Sequence, residues 1–199
     1  MAIAVGKLEY TVKSSPVRAR GLSHTSKQLQ GALLNPVSSI VFDVEGIAKV
    51  HGLLSGIAET EFETNNLRRV LRRRRSKPEK WRVGEAYAEA YLCEHRACYF
   101  PWPDGRDERK LGSSLPGADL VGFHFDSNKP KFAFGEVKTS SDNNYPPQST
   151  YGRTGFKKQL RDLKTNESIR DGLVLYLSHR VGNSGWKSHF KLASKRYLG

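Results

Sequence analysis

Cysteine is scarce in this sequence: Cys93 and Cys98 are the only two in 199 residues. Two thiols are too few for a disulfide framework or a four-thiolate cluster, and they read as free thiols in a reducing compartment. No Cys-x-x-Cys pair, no His-x-x-x-His and no glycine-rich phosphate loop occurs, and the six histidines are scattered. No serine sits in a nucleophile elbow. No apolar run approaches the length of a bilayer span. The opening MAIAVGKLEYTV has neither a long apolar core nor a basic leader, so it does not read as a signal peptide. A cytoplasmic protein is expected. Acid is also in short supply, with 20 Asp and Glu against 33 Lys and Arg. The formal charge of +13 and pI near 9.9 favour an anionic partner, with nucleic acid the leading candidate. Ribosomal and membrane-surface proteins share that balance.

What is present is a globular chain. Hydrophobic residues make up 37%, with three Trp, eight Tyr and nine Phe, enough for one sizeable core plus an extension. The first 75 residues form the less legible part. Leu8–Val12 alternates like a strand. Leu22–Leu34 suggests a short helix ended by Asn35-Pro36. Ser39–Val44 suggests another strand. Ile47, Val50, Leu54, Ile57 and Ala58 fall at helical spacing. A second helix is predicted from Glu61 to Arg75, with Leu67, Val70 and Leu71 inward. Ser76–Lys80, with Pro78, marks a break, so residues 1–75 read as an N-terminal α/β extension and 76–199 as the main domain.

The central stretch is Gly117–Lys138, GADLVGFHFDSNKPKFAFGEVK. It reads as two strands joined by Asp126-Ser127-Asn128-Lys129. Strand residues alternate faces. With Phe123 opposite Phe132, Val121 falls opposite Phe134 and Asp119 opposite Glu136. Aromatics then bury near the turn, and two carboxylates gather with Lys138 at the open end. Side-by-side acids repel unless a cation or proton intervenes. Hard oxygen ligands suit Mg²⁺ or Mn²⁺. A lysine beside such an ion can position a water and help take its proton. These are the parts of a phosphodiester hydrolase.

Asp119 followed across a hairpin by Glu136-Val137-Lys138 resembles the PD-(D/E)XK nuclease superfamily. Glu-x-Lys alone carries little, since Glu108-Arg109-Lys110 repeats it in a polar run; the strand–loop–strand setting carries the signal. The literal Pro103-Asp104 pair lies in a turn and is set aside. Around the motif, Trp81–His95 reads as a helix with Val83, Ala86, Tyr87 and Ala90 inward. Ala97–Trp102 reads as a strand and Phe156–Lys164 as a helix with Phe156, Leu160 and Leu163 inward. Gly172–Ser178, an unbroken apolar run, reads as a buried strand. The resulting order matches the restriction-endonuclease-like αβββαβ core, a mixed central sheet flanked by helices. The fold class expected is therefore α/β, and the resemblance covers residues 81–179.

The resemblance implies roles. Asp119 and Glu136 would bind Mg²⁺, with Mn²⁺ substituting, and the Val137 carbonyl would be a further ligand. Glu85 on the first helix would help bind or orient the metal, ahead of Glu89 one turn on. Lys138 would activate water and Gln159 would orient it. Phosphates would be held by Arg68, Arg69, Arg72, Arg73, Arg74 and Arg75, by Arg153 in the loop 139–155, and by Lys157 and Lys158. Tyr145 and Tyr151 in that loop could stack on bases. The implied activity is a Mg²⁺-dependent endonuclease acting on DNA in a bacterial defence, antiviral, restriction or repair system, as a homodimer or with partner proteins. A non-catalytic nucleic-acid-binding subunit and an RNA nuclease remain open, since nothing in the sequence reads a 2′-hydroxyl.

Overall fold

The computed structural model describes residues 2–14, 17–72, 77–103, 106–107, 117–144 and 146–199. Asp104, Arg73, Arg74, Arg75 and Tyr145 lie outside the described residues, as does the side chain of Arg72. The protein is mixed α/β and richer in helix than in strand. Among the described residues no helix is long and apolar enough to cross a membrane.

The hairpin forms with the predicted register. Strands β4 (Leu120–Asp126) and β5 (Lys129–Gly135) pair antiparallel, with Phe123 on Phe132 and Val121 on Phe134. Ser127 and Asn128 both have positive φ, which gives a two-residue turn whose twist suits the paired strands. A third strand, β3 (Cys98–Tyr99), adds antiparallel to β4. It is shorter than the predicted 97–102. Pro101 and Pro103 have no N–H to donate to a ladder, so pairing stops before them.

Helix α5 (Lys80–His95) precedes β3 and α6 (Phe156–Thr165) follows the hairpin, both as predicted. On α6, Leu160 is 40% exposed rather than inward. The run Gly172–Ser178 is not a strand. It lies inside helix α7 (Glu167–Val181), so the observed order from Lys80 is αβββαα, closed by α8 (Lys187–Leu198). Burial shows why. Leu173 and Leu177, four apart, are buried, whereas Leu175 is 58% exposed. That is a helical stripe, and continuous apolarity alone does not distinguish it from a core strand. Asn166 caps the helix by accepting from the Ile169 amide at 3.4 Å, and Glu167 starts it beside the positive end of the dipole. The sheet of described strands is consequently antiparallel and three-stranded, not mixed.

Phe123, fully buried, centres the main core. Its ring lies 5.9 Å from both Phe132 and Trp186, and Leu173, Leu177 and Ala193 close around it. The sheet thus leans on α7 and α8.

In the N-terminal part, β1 (Lys7–Ser14) and β2 (Val17–Ser23) form a separate hairpin, with β1 exposed along its length. Helix α1 (Ser26–Ala32) opens with a capping box of Thr25 and Gln28. It does not stop at Asn35-Pro36. A π-helical turn, Leu33–Val37, carries the chain past the proline into α2 (Ser38–Val41). The wider turn accommodates a ring that would clash in a regular helix. The strand expected at Ser39–Val44 is therefore helix and cap. Asp43, at φ +43°, begins α3 (Val44–Ser55) by accepting from the Gly46 amide at 3.1 Å. Helix α4 (Glu61–Arg72) follows, with Val70 54% exposed rather than inward. Ile3, Ala32 and Val37 pack on Ala86 and Ala90 of α5, and the Ile3 amide donates to Glu94 Oε2 at 2.9 Å. Helix α5 therefore shares one core with the N-terminal segment and leads into β3.

Candidate active site

The open end of the β4–β5 hairpin brings three predicted groups together. Glu136 directly follows β5 and Asp119 directly precedes β4, so pairing of Leu120 with Gly135 sets them side by side. The Asp119 Oδ2 accepts the Val137 amide at 2.6 Å, which ties the two chain segments beyond the last ladder pair. Lys138 donates to Glu136 Oε1. The Glu136 side chain is only 1% exposed and that of Lys138 is 28% exposed.

This is an unusual place to bury charge. Burial, followed by the neighbouring Asp119 charge, pushes the Glu136 carboxyl above its ordinary value, although Lys138 opposes the shift. Glu136 Oε2 is buried and has no hydrogen-bond partner among the described residues. Asp119 lies within reach of Glu136, but two ionised carboxylates are both acceptors, so neither can satisfy the other. A proton or a cation between them resolves the conflict. The donor set fits Mg²⁺, which takes one or two carboxylates and keeps water for the rest of its shell. Among the described residues no group of three or more His, Cys, Asp and Glu forms a metal cage.

Glu85 is carried to the same region by α5. It lines a crevice of about 30 Å³ with Asp119, Arg82 and Glu89, room for a single water or ion. Gly84 explains how the helix comes so close. A Cβ at that position would overlap the Thr139 hydroxyl, with Thr139 Cβ 3.1 Å and Cγ2 3.4 Å away. The glycine lets α5 lie against the chain just past Lys138.

On the other side, Lys138 and Gln159 line an open cavity of about 510 Å³ with Gln148, Ser149, Tyr151 and Thr154. Gln159 Oε1 is buried and has no hydrogen-bond partner among the described residues. Its place on α6, one turn from the helix start, is set by Gly155, where a Cβ would overlap the Tyr151 carbonyl. Asp142 shapes the loop that walls this cavity. It accepts from the Asn144 amide at 2.9 Å and the Gln148 amide at 3.0 Å, and these bonds hold its carboxyl below the ordinary range. The candidate site residues Asp119, Glu136, Lys138, Glu85 and Gln159 thus surround two adjoining spaces, with Glu136 and Lys138 between.

The predicted phosphate contacts are spread more widely. Lys157, Lys158 and Arg153 are exposed near the Lys138 cavity, and Lys158 pairs with Asp162 at 2.6 Å. Arg68 and Arg69 are exposed on α4, each donating to a neutral amide oxygen of its own helix, Asn65 and Asn66. Tyr151 is 57% exposed. Both cysteines are free, and burial raises the Cys98 thiol, so neither supplies a reactive thiolate here.

Sequence reasoning missed one cluster. Arg106 grips buried Asp43 through Nε and a terminal nitrogen, at 2.9–3.2 Å. Its neighbour Asp107 accepts from Trp102 at 3.1 Å, Tyr176 at 2.6 Å and Arg180 at 3.1 Å. Burial raises the Asp107 carboxyl, but the Arg180 and Tyr176 bonds outweigh it and hold it below the ordinary range. Both residues sit in the polar run PDGRDERK, where nothing in the composition singles them out. Compared with known protein families, curated proteins and solved structures, the chain matches none.

Proposed function

We propose that the chain is a Mg²⁺-dependent endonuclease that hydrolyses DNA phosphodiester bonds at Asp119, Glu136 and Lys138. One observation carries the reading: a buried carboxylate pair with an unpartnered oxygen, Glu136 Oε2, and an ammonium on its other oxygen. A structural ion pair would balance its charges and saturate its acceptors. This cluster does neither, which suits carboxylates arranged to hold a cation.

Mg²⁺, or Mn²⁺ in its place, would supply a polarised phosphate and an acidified water when bound. Asp119 and Glu136 are the residues to hold it, with the Val137 carbonyl and Glu85 completing the set by resemblance. Lys138 stands between Glu136 and the open cavity, where its ammonium can position an attacking water and steady charge on a phosphoryl oxygen. Gln159, with an unsatisfied carbonyl on the same cavity, accepts a hydrogen bond from that water and aligns it. Lys157 and Arg153 are placed to hold the flanking phosphates, and the excess positive charge draws the strand in. By resemblance, the protein serves as the nuclease of a restriction, antiviral defence or repair system.

Purified protein incubated with supercoiled plasmid, linear DNA and single-stranded RNA, with Mg²⁺, Mn²⁺ or EDTA, tests this. Metal-dependent cutting of DNA, abolished in Glu136→Ala and in Lys138→Ala, is expected. Unaltered binding with no cutting in any metal would turn the reading into a nucleic-acid-binding module. Cutting of RNA alone would reassign the substrate.

A further inference from the structure

A larger cavity, of about 740 Å³, lies apart from the hairpin end. Its walls come from the start of α3, from the segment Tyr99–Pro103, and from the turn between α7 and α8. It shares Ile40, Glu89 and Pro103 with the small crevice beside Asp119. The volume suits a small organic ligand.

The chemistry of the wall narrows the ligand. Tyr99, Phe100 and Trp102 give it aromatic surface. The Arg106 and Arg180 guanidiniums stand 5.1 Å and 6.0 Å from the Trp102 ring centroid. Flat groups on this wall stack flat ligands. The charges are already matched. Arg106 pairs with Asp43, Arg180 with Asp107 at 2.9 Å, and Lys49 with Glu45 at 2.5 Å. A polyphosphate would find no uncommitted pair of cations among these, so the cavity favours a neutral guest. Polar edges remain available. Glu45 and Glu89 offer acceptors, and the Ser184 hydroxyl oxygen is buried with no partner among the described residues. A planar, neutral ring with a hydrogen-bonding edge meets all of these conditions.

We infer that this cavity binds a nucleobase, stacked against Trp102 and read at its edge by the carboxylates. The base comes either from a free nucleoside or from a nucleotide swung out of a bound strand. In the second case the shared wall places the strand beside Asp119.

The test uses the full chain carrying Glu136→Ala, in EDTA, so that no cutting intervenes. The four ribonucleosides, their monophosphates and a short single-stranded oligonucleotide are titrated by calorimetry. Saturable binding of at least one nucleoside is expected. Its monophosphate should bind within about fivefold, the worth of one exposed ion pair. Gly185→Leu places a side chain at the wall, where an added Cβ meets nothing within 4 Å, so the fold is undisturbed. It should weaken nucleoside binding at least about tenfold, as should Trp102→Leu, which removes the stacking surface. Competition by the oligonucleotide assigns the base to a bound strand, and lack of competition assigns a free nucleoside. Absence of saturable binding, or affinity unchanged in Gly185→Leu, overturns the inference. Metal-dependent cutting by the unaltered protein together with that failure would leave the proposed activity standing and remove only this site.

Discussion

Replacing Leu177 by alanine is expected to cost far more than replacing Leu175, two positions away. Leu177 is fully buried, with Phe123 and Trp186 in the same core, and Leu175 is 58% exposed. Burying a leucine side chain is worth about 1.5–3 kcal/mol. Truncation adds the cost of the space left behind, giving about 2–5 kcal/mol in all. Rigid aromatic neighbours collapse poorly into a gap, so the upper half of that range is expected. The Leu175→Ala change should stay within about 0.5 kcal/mol. With a urea dependence of about 2–3 kcal/mol per molar for a chain of this size, Leu177→Ala lowers the unfolding midpoint by roughly 1–2 M. Urea titration followed by tryptophan fluorescence reads both variants. Equal losses at the two positions would refute the reasoning, because positions 173, 175 and 177 share one face only in a strand.

Other outcomes follow from the site. A raised Glu136 pKa means that the folded state holds the proton more tightly than the unfolded state. The resulting stability is full at low pH and fades as pH rises through the folded pKa, so Glu136→Gln should gain on the unaltered protein between about pH 4 and about pH 7. Melting curves across that range would show a constant difference if the carboxyl were unshifted. Gly84→Ala should lose up to about 2 kcal/mol, the overpacking against Thr139 less about 1 kcal/mol of helix propensity. Thr139→Gly should abolish that loss, and additive effects in a double-mutant cycle would rule out the close approach. Arg68→Glu with Arg69→Glu should flatten the salt dependence of DNA binding by about 0.9 in log–log slope for each phosphate no longer neutralised, with little change in stability. Anisotropy titrations in EDTA that return the original slope would remove α4 from the interface.

The hairpin was legible because two independent signals agreed. Alternation from Val121 to Phe125 and from Phe132 to Phe134 set the faces, and Ser127-Asn128 supplied residues that accept positive φ. The same register put Asp119 beside Glu136. The alanine-rich stripe of α5 was equally clear, since Ala86 and Ala90 are buried as the pattern requires. The run at 172–178 was ambiguous in principle. Its polar flanks were capping residues, and only the packing of Leu173 and Leu177 against β4 separates helix from strand. Pro36 misled in the same way, because a terminator by propensity becomes tolerable in a wider turn. The Asp43–Arg106 and Asp107–Arg180 pairs were illegible, since charged partners far apart in a chain leave no periodic trace.

Those two pairs have a kinetic consequence. Arg106 and Asp107 are adjacent, yet one binds a residue 63 positions earlier and the other a residue 73 positions later. The loops between them must close before either bond can form, which makes this junction a late event on the folding pathway. Asp107→Asn should therefore accelerate unfolding in stopped-flow experiments while refolding keeps nearly its original rate. A matching slowdown in refolding would place the junction in the nucleus instead.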